Sequence, residues 1–221
     1  MTPAFVEGEV QKLLNGVETF THTGLHDRAL LAALAYTGYR RLVKNVAGTF
    51  TLLWEDTTAY APDTPYRLTV SAIGTELRGY VDGVMTFVVD DADVAQGRVE
   101  LYTWETTAAS FWHVRVYPSS LGYADWFMDD RFQALVTQTW TFVDEGTIGA
   151  PSAWAVDPKV GLQQTSLIDG TYAIAGQTSW DDYRYTVRLT SGDWRRVPAN
   201  RCAELLSFLD VPICRLPSSR S

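Results

Sequence analysis

Three histidines, two cysteines and several acidic pairs are the residues whose types and spacing could do chemistry in this chain. His22 and His26 are four apart and would share one helix face, a possible metal pair. No third ligand accompanies them in the sequence, so a surface helix is the plainer reading. His113 lies beside Trp112 in an alternating run. A strict period of two places His113 on the same face as Phe111, with Trp112 on the other. A histidine in such a strand is more often packed or hydrogen-bonded than catalytic. Glu55-Asp56 and Asp90-Asp91 fall at turns, where solvated acids are ordinary. Cys202 and Cys214 allow one disulfide closing a short loop, or two free thiols, but no metal-binding cysteine cluster. There is no Gly-x-Ser-x-Gly elbow, no His-Glu-x-x-His and no glycine-rich phosphate loop.

The bulk numbers narrow the function classes. The chain has 221 residues, 46% hydrophobic, enough for one large all-β domain or two small ones. Its formal net charge of −8 argues against a nucleic-acid partner and against an anionic membrane surface. No apolar run reaches the ~20 residues of a membrane span. Residues 1–16 carry Glu7 and Glu9 and lack a basic stretch followed by an apolar one, so no secretory signal is expected there. Read alone, the chain stays in the cytoplasm or is a piece of a longer exported protein. Eight Trp and eleven Tyr suit either a β-sandwich core or a sugar-binding face.

Any site must be positioned by β-strands. Tyr66–Val70, Glu76–Val81, Met85–Val89, Arg98–Trp104 and Ser110–Tyr117 alternate in polarity, with breaks at Gly74, Asp82-Gly83 and Asp90-Asp91 with Gly97. One face is Leu, Val, Tyr and Phe; the other is Arg, Glu, Thr and His. That pattern predicts antiparallel sheets with one face in a core and one in water. Tyr39–Val46 and Phe50–Glu55 precede this run, and Tyr183–Leu189 is the clearest strand of the second half. Pro3 to Leu14 and the Ala- and Leu-rich Arg28–Tyr36 read as minor terminal helices. The expected division is an N-terminal extension over 1–37, a sandwich over 38–192 and a tail over 193–221.

Several segments resemble concanavalin A-like lectin/glucanase jelly rolls, closest to laminin-G-like modules. Tyr80-Val81-Asp82-Gly83 and Gly97-Arg98-Val99-Glu100-Leu101-Tyr102-Thr103-Trp104 are similar to later strands of such a module. Trp140-Thr141-Phe142-Val143-Asp144-Glu145-Gly146-Thr147, Pro151-Ser152-Ala153-Trp154 and Trp180-Asp181-Asp182-Tyr183-Arg184 are similar to its opening. Back half (38–118) thus precedes front half (129–192), as in a permuted module or a cut from a tandem array.

The resemblance implies an antiparallel jelly-roll β-sandwich and a non-catalytic carbohydrate-binding or adhesion module of a larger extracellular bacterial protein, with a glycan partner. A hydrolase acting on a glycan or ester, or a spacer without ligand, are the alternatives. The Glu-x-Asp-x-x-Glu pattern of related glycosidases is absent, as are the Gln-Ile-His and Tyr-x-Lys motifs of alginate-lyase-like relatives. No catalytic residue is therefore assigned. Related modules hold a structural Ca²⁺, and Asp144 and Glu145 match its first ligands. The last strand reads Phe111-Trp112-His113-Val114 where the family tends to have Asp. Aromatic side chains that stack on sugar rings are expected at strand ends, and Trp54, Trp104 and Trp154 are the candidates.

Overall fold

The computed structural model describes residues 28–35, 40–46, 49–58, 60–61, 63–93, 96–104, 109–118, 127–133, 139–144, 149–168, 170–191 and 204–212. Every regular element among them is a strand. In chain order these are β1 (Arg28–Ala35), β2 (Arg40–Val46), β3 (Thr49–Asp56), β4 (Tyr66–Ile73) and β5 (Glu76–Val81). Next come β6 (Val84–Asp90), β7 (Arg98–Trp104), β8 (Ala109–Pro118), β9 (Met128–Asp130) and β10 (Thr141–Asp144). The last are β11 (Trp154–Asp157), β12 (Gly161–Gln164), β13 (Thr171–Ala175), β14 (Tyr183–Ser191) and β15 (Glu204–Pro212).

They form two antiparallel sheets. The first has seven strands in the order β10-β13-β7-β15-β1-β2-β3. The second has eight, β11-β12-β8-β14-β4-β5-β6, with β9 paired to β8. One apolar cluster joins both sheets. Leu42, Val99, Leu101 and Ala173 enter it from the first, and Leu68, Phe111, Val116, Tyr185 and Val187 from the second. Each leucine, valine or phenylalanine among them contributes roughly 1.5–3 kcal/mol when fully buried. The architecture is all-β and sandwich-like; the main core cluster is shared by both halves of the sequence, and a smaller cluster of Tyr102, Tyr172 and Ile174 lies apart from it.

The helix expected over Arg28–Tyr36 is corrected: Arg28–Ala35 is β1, paired to β15 on one side and β2 on the other. Its run of Ala and Leu reads alike as a helix or as a strand flanked on both edges. Two ladders satisfy its backbone, and that context overrides the helical propensity of Ala and Leu. Likewise the apolar stretch at 205–209, within the segment expected as a tail, belongs to β15, which lies between β1 and β7. The helix expected over residues 3–14 lies outside the described residues, as do His22, His26, Cys202 and Cys214.

The Asp82-Gly83 break is a two-residue hairpin turn with φ of 51° and 85°. Both values suit a type I′ turn, which matches the right-handed twist of β5 and β6. Asp82 also accepts a hydrogen bond from the Arg67 backbone N–H at 2.9 Å, tying the turn to the start of β4. Lys44 on β2 meets Asp91, just after β6, so an ion pair links the first sheet to the second.

Candidate functional site: a basic groove on the second sheet

The strands β14, β4 and β5 alternate as the sequence predicts, and β8 does so apart from one irregularity between Trp112 and Arg115, so one set of positions lies on the face opposite the core. Their register assembles those positions into three rungs. Trp112, Arg188 and Arg67 make the first. Arg115, Thr186, Thr69 and Tyr80 make the second. Tyr117, Arg184, Ser71 and Arg78 make the third. Thr69 and Thr186 lie in the middle, their hydroxyl oxygens 3.0 Å apart. Short side chains there and long ones around them leave a groove of about 400 Å³. That is within the ~300–1,000 Å³ of typical small-ligand sites.

Four arginines line the groove: Arg67, Arg115, Arg184 and Arg188. Arg115 reaches Asp129 on β9 at 3.3 Å and His113 Nε2 at 2.7 Å. The guanidinium of Arg184 lies 5.9 Å from the centre of the Tyr117 ring, in cation–π range. Its Nε is buried and has no hydrogen-bond partner. Arg67 lies over the turn glycine, with Nη2 3.2 Å from where a Cβ on Gly83 would stand. A side chain there would crowd the groove's rim.

His113 reaches the groove through a break in alternation. Between Thr186 and Arg188 of β14 there is one residue, but β8 spans 112 to 115 over the same interval. The extra residue is a β-bulge, and His113 carries it at a φ of 60°. The expectation that His113 shares a face with Phe111 is therefore corrected. Phe111 and Val114 are both fully buried in the core, whereas His113 lines the groove with Arg115 and Tyr117. Partial burial depresses its pKa, and the charges of Arg115, Arg131 and Arg188 push the same way against Asp129. The imidazole is thus neutral near pH 7. A guanidinium only donates, so Nε2 accepts from Arg115 and the ring proton sits on Nδ1.

The chain matches no protein-family model and no curated protein.

Two of the tryptophans expected to bind ligand, Trp54 and Trp154, are not among the groove's lining residues. Trp54 on β3 is half-buried, with its ring centre 5.3 Å from that of Phe87 and Arg40 5.9 Å above it. It lines a cavity of only about 20 Å³. Trp154 stacks against Phe142 and Phe111 at 5.5 and 6.2 Å, and its Nε1 donates to Thr171 Oγ1 at 3.0 Å. Trp104 ends β7 opposite Glu204, and its side chain is outside the described residues. Trp54 and Trp154 stand on different sheets.

Asp144 belongs to the Trp154 neighbourhood. One carboxylate oxygen is 2.9 Å from Thr171 Oγ1 and the other accepts from the Ser152 N–H at 3.0 Å. Partial burial raises its pKa, but these donors more than offset that and hold the group below the usual carboxylate range. Glu145 lies outside the described residues. Among the described residues no three His, Cys, Asp or Glu side chains gather into a metal site.

The groove residues were visible in the sequence only as a wet face. The available signal was Arg67-x-Thr69, Arg115-x-Tyr117 and Arg184-x-Thr186-x-Arg188, three strands whose polar side is basic and hydroxylated in an acidic chain.

Proposed function

We propose that this chain is a non-catalytic carbohydrate-binding or adhesion module on a concanavalin A-like jelly roll, part of a larger extracellular bacterial protein. Its ligand seat is the outer face of the second sheet. The observation that carries this reading is the groove itself: hydroxyls at its floor, Tyr80 and Tyr117 at its sides and arginines at its ends. Aromatic faces pack on the apolar side of a sugar ring, while hydroxyls and guanidinium groups meet its oxygens. The all-β sandwich-like architecture agrees with the resemblance that suggested a lectin-type module. A panel of immobilised glycans tests the reading directly. Retention of the wild-type protein by at least one glycan, lost in Tyr117→Ala, is the expected result. No retention by any glycan overturns it.

A hydrolase acting on a glycan or ester is the second reading, favoured by one observation. His113 is a neutral imidazole at the groove wall, and it sits on a backbone conformation that costs on the order of 1–3 kcal/mol. Strain of that kind collects at functional sites. Against it, no serine nucleophile or carboxylate pair faces His113 among the groove's lining residues. Turnover of glycoside or ester substrates by the purified protein, lost in His113→Gln, would establish the enzyme and displace the binding module.

A further inference from the structure

We propose that the groove selects an acidic glycan, a polymer bearing repeated carboxylate or sulfate groups, an inference that rests on the carbohydrate-binding reading. The argument is one of unmatched charge. The chain has 26 acidic and 18 basic residues, so acids are in surplus. Four basic groups elsewhere use that surplus: Arg40 pairs with Asp56, Arg41 with Glu55, Lys44 with Asp91 and Arg78 with Glu76. Arg67, Arg184 and Arg188 have no carboxylate partner among the described residues. Arg67 and Arg188 moreover stand directly opposite each other on paired strands. Like charges in that position are destabilising. An anion lying between them removes the repulsion and gains two charge-assisted contacts.

Arg184 adds an independent observation. Its Nε is buried and unpaired, and a buried donor left unmade is costly. An acceptor supplied by a ligand satisfies it. The planar guanidinium fork matches the paired oxygens of a carboxylate or sulfate. Arg184 and Arg188 are four residues apart on one strand, about 13 Å at ~3.3 Å per residue. The groove therefore presents Arg67 and Arg188 at one end and Arg184 with Tyr117 at the other, with Arg115, two threonine hydroxyls and Tyr80 between. A single small anion engages one end; a polymer with repeated acids engages both.

Calorimetry on the whole chain tests this with length-matched oligomers. The arms are oligogalacturonate for carboxylate, sulfated dextran for sulfate, cello-oligosaccharide as a neutral glycan, and single-stranded DNA as a polyanion without the sugar face. Wild type, Arg184→Gln, Arg188→Gln and the remote control Lys159→Gln are compared, each checked by thermal melting. Expected is at least tenfold tighter binding of one acidic glycan than of the neutral one. Each groove variant should lose ~10-fold, the control should lose nothing, and 0.5 M salt should weaken wild-type binding. Neutral glycan bound as well as acidic, with the arginine variants unaffected, overturns the inference but leaves the lectin reading standing. DNA bound as tightly as the best glycan overturns selection of a sugar. No binding in any glycan arm overturns both readings.

Discussion

Arg188 on β14 stands opposite Arg67 on β4, in register, on the face of the second sheet that lines the groove. Neighbouring rungs place Thr186 against Thr69 and Arg184 against Ser71, and the nearby Asp82 carboxylate is engaged by the Arg67 backbone N–H and not by its guanidinium. The fold holds this pair against its own electrostatics.

Replacing Arg188 by Thr therefore stabilises the free protein. A like-charge pair across strands costs about 0.2–1 kcal/mol. For a chain of this size that is a rise in melting temperature of up to about 4 °C at low salt. The gain should shrink at 0.5 M NaCl, where the wild-type pair is already screened. A lower melting temperature for Arg188→Thr at low salt would contradict the repulsion.

His113 makes stability fall on the acid side of neutrality. Its folded-state pKa is depressed below the ordinary value of 6.5 by burial and by Arg115. The unfolded chain takes up the proton first as pH drops. The contribution is present above about pH 6.5 and is lost as pH falls through the folded pKa. Denaturant midpoints between pH 7.5 and 5 should decline in the wild type and decline less in His113→Gln. Parallel curves for the two proteins would rule the assignment out.

Trp154→Ala should cost stability and leave ligand affinity alone. The ring is stacked on Phe142 and Phe111 and hydrogen-bonded to Thr171, away from the groove. Removing a tryptophan packed in this way costs about 3–5 kcal/mol. Chemical denaturation supplies the first number and glycan titration of the folded fraction the second. A stable variant with tenfold weaker binding would return Trp154 to the ligand site.

Gly79→Ala tests how tightly β5 and β6 close over the core. A Cβ at Gly79 would stand 2.0 Å from Phe87 Cε1 and 2.3 Å from its Cζ. Phe87 is buried and rests on Trp54, so the ring has little room to retreat. Overpacking of this kind costs about 1–3 kcal/mol. A melting temperature within one degree of wild type would mean that the ring swings aside freely.

Much of the second sheet was legible in the sequence because its strands alternate and are separated by turn residues. Tyr66–Val70 and Tyr183–Leu189 announced themselves, and they pair with each other. β1 did not, since its uninterrupted apolar run from Ala29 to Ala35 carries no period to distinguish strand from helix, and the short apolar stretch of β15, broken by Ser207, shows no strict alternation either. The bulge at His113 was hidden for a different reason. No glycine or proline marks it, and one extra residue inverts the facing of everything read by a period of two. The groove was legible only in part. Arg67, Arg115 and Arg188 are far apart in the chain, and only register brings them onto adjoining rungs. The tryptophans drew attention by residue type alone, while packing had already claimed Trp54 and Trp154.

The place of β15 has a consequence for how this protein is made. It lies between β1 and β7, so without it the first sheet is two pieces, β10-β13-β7 and β1-β2-β3. A chain emerging from the ribosome has both pieces once β13 is made, before it has Glu204–Pro212. Until then each presents a bare edge of unpaired N–H and C=O groups, the kind that invites another chain to pair. The nascent protein thus carries an open seam until Glu204–Pro212 arrives, and the strand that seals it is the last of the described strands to be translated.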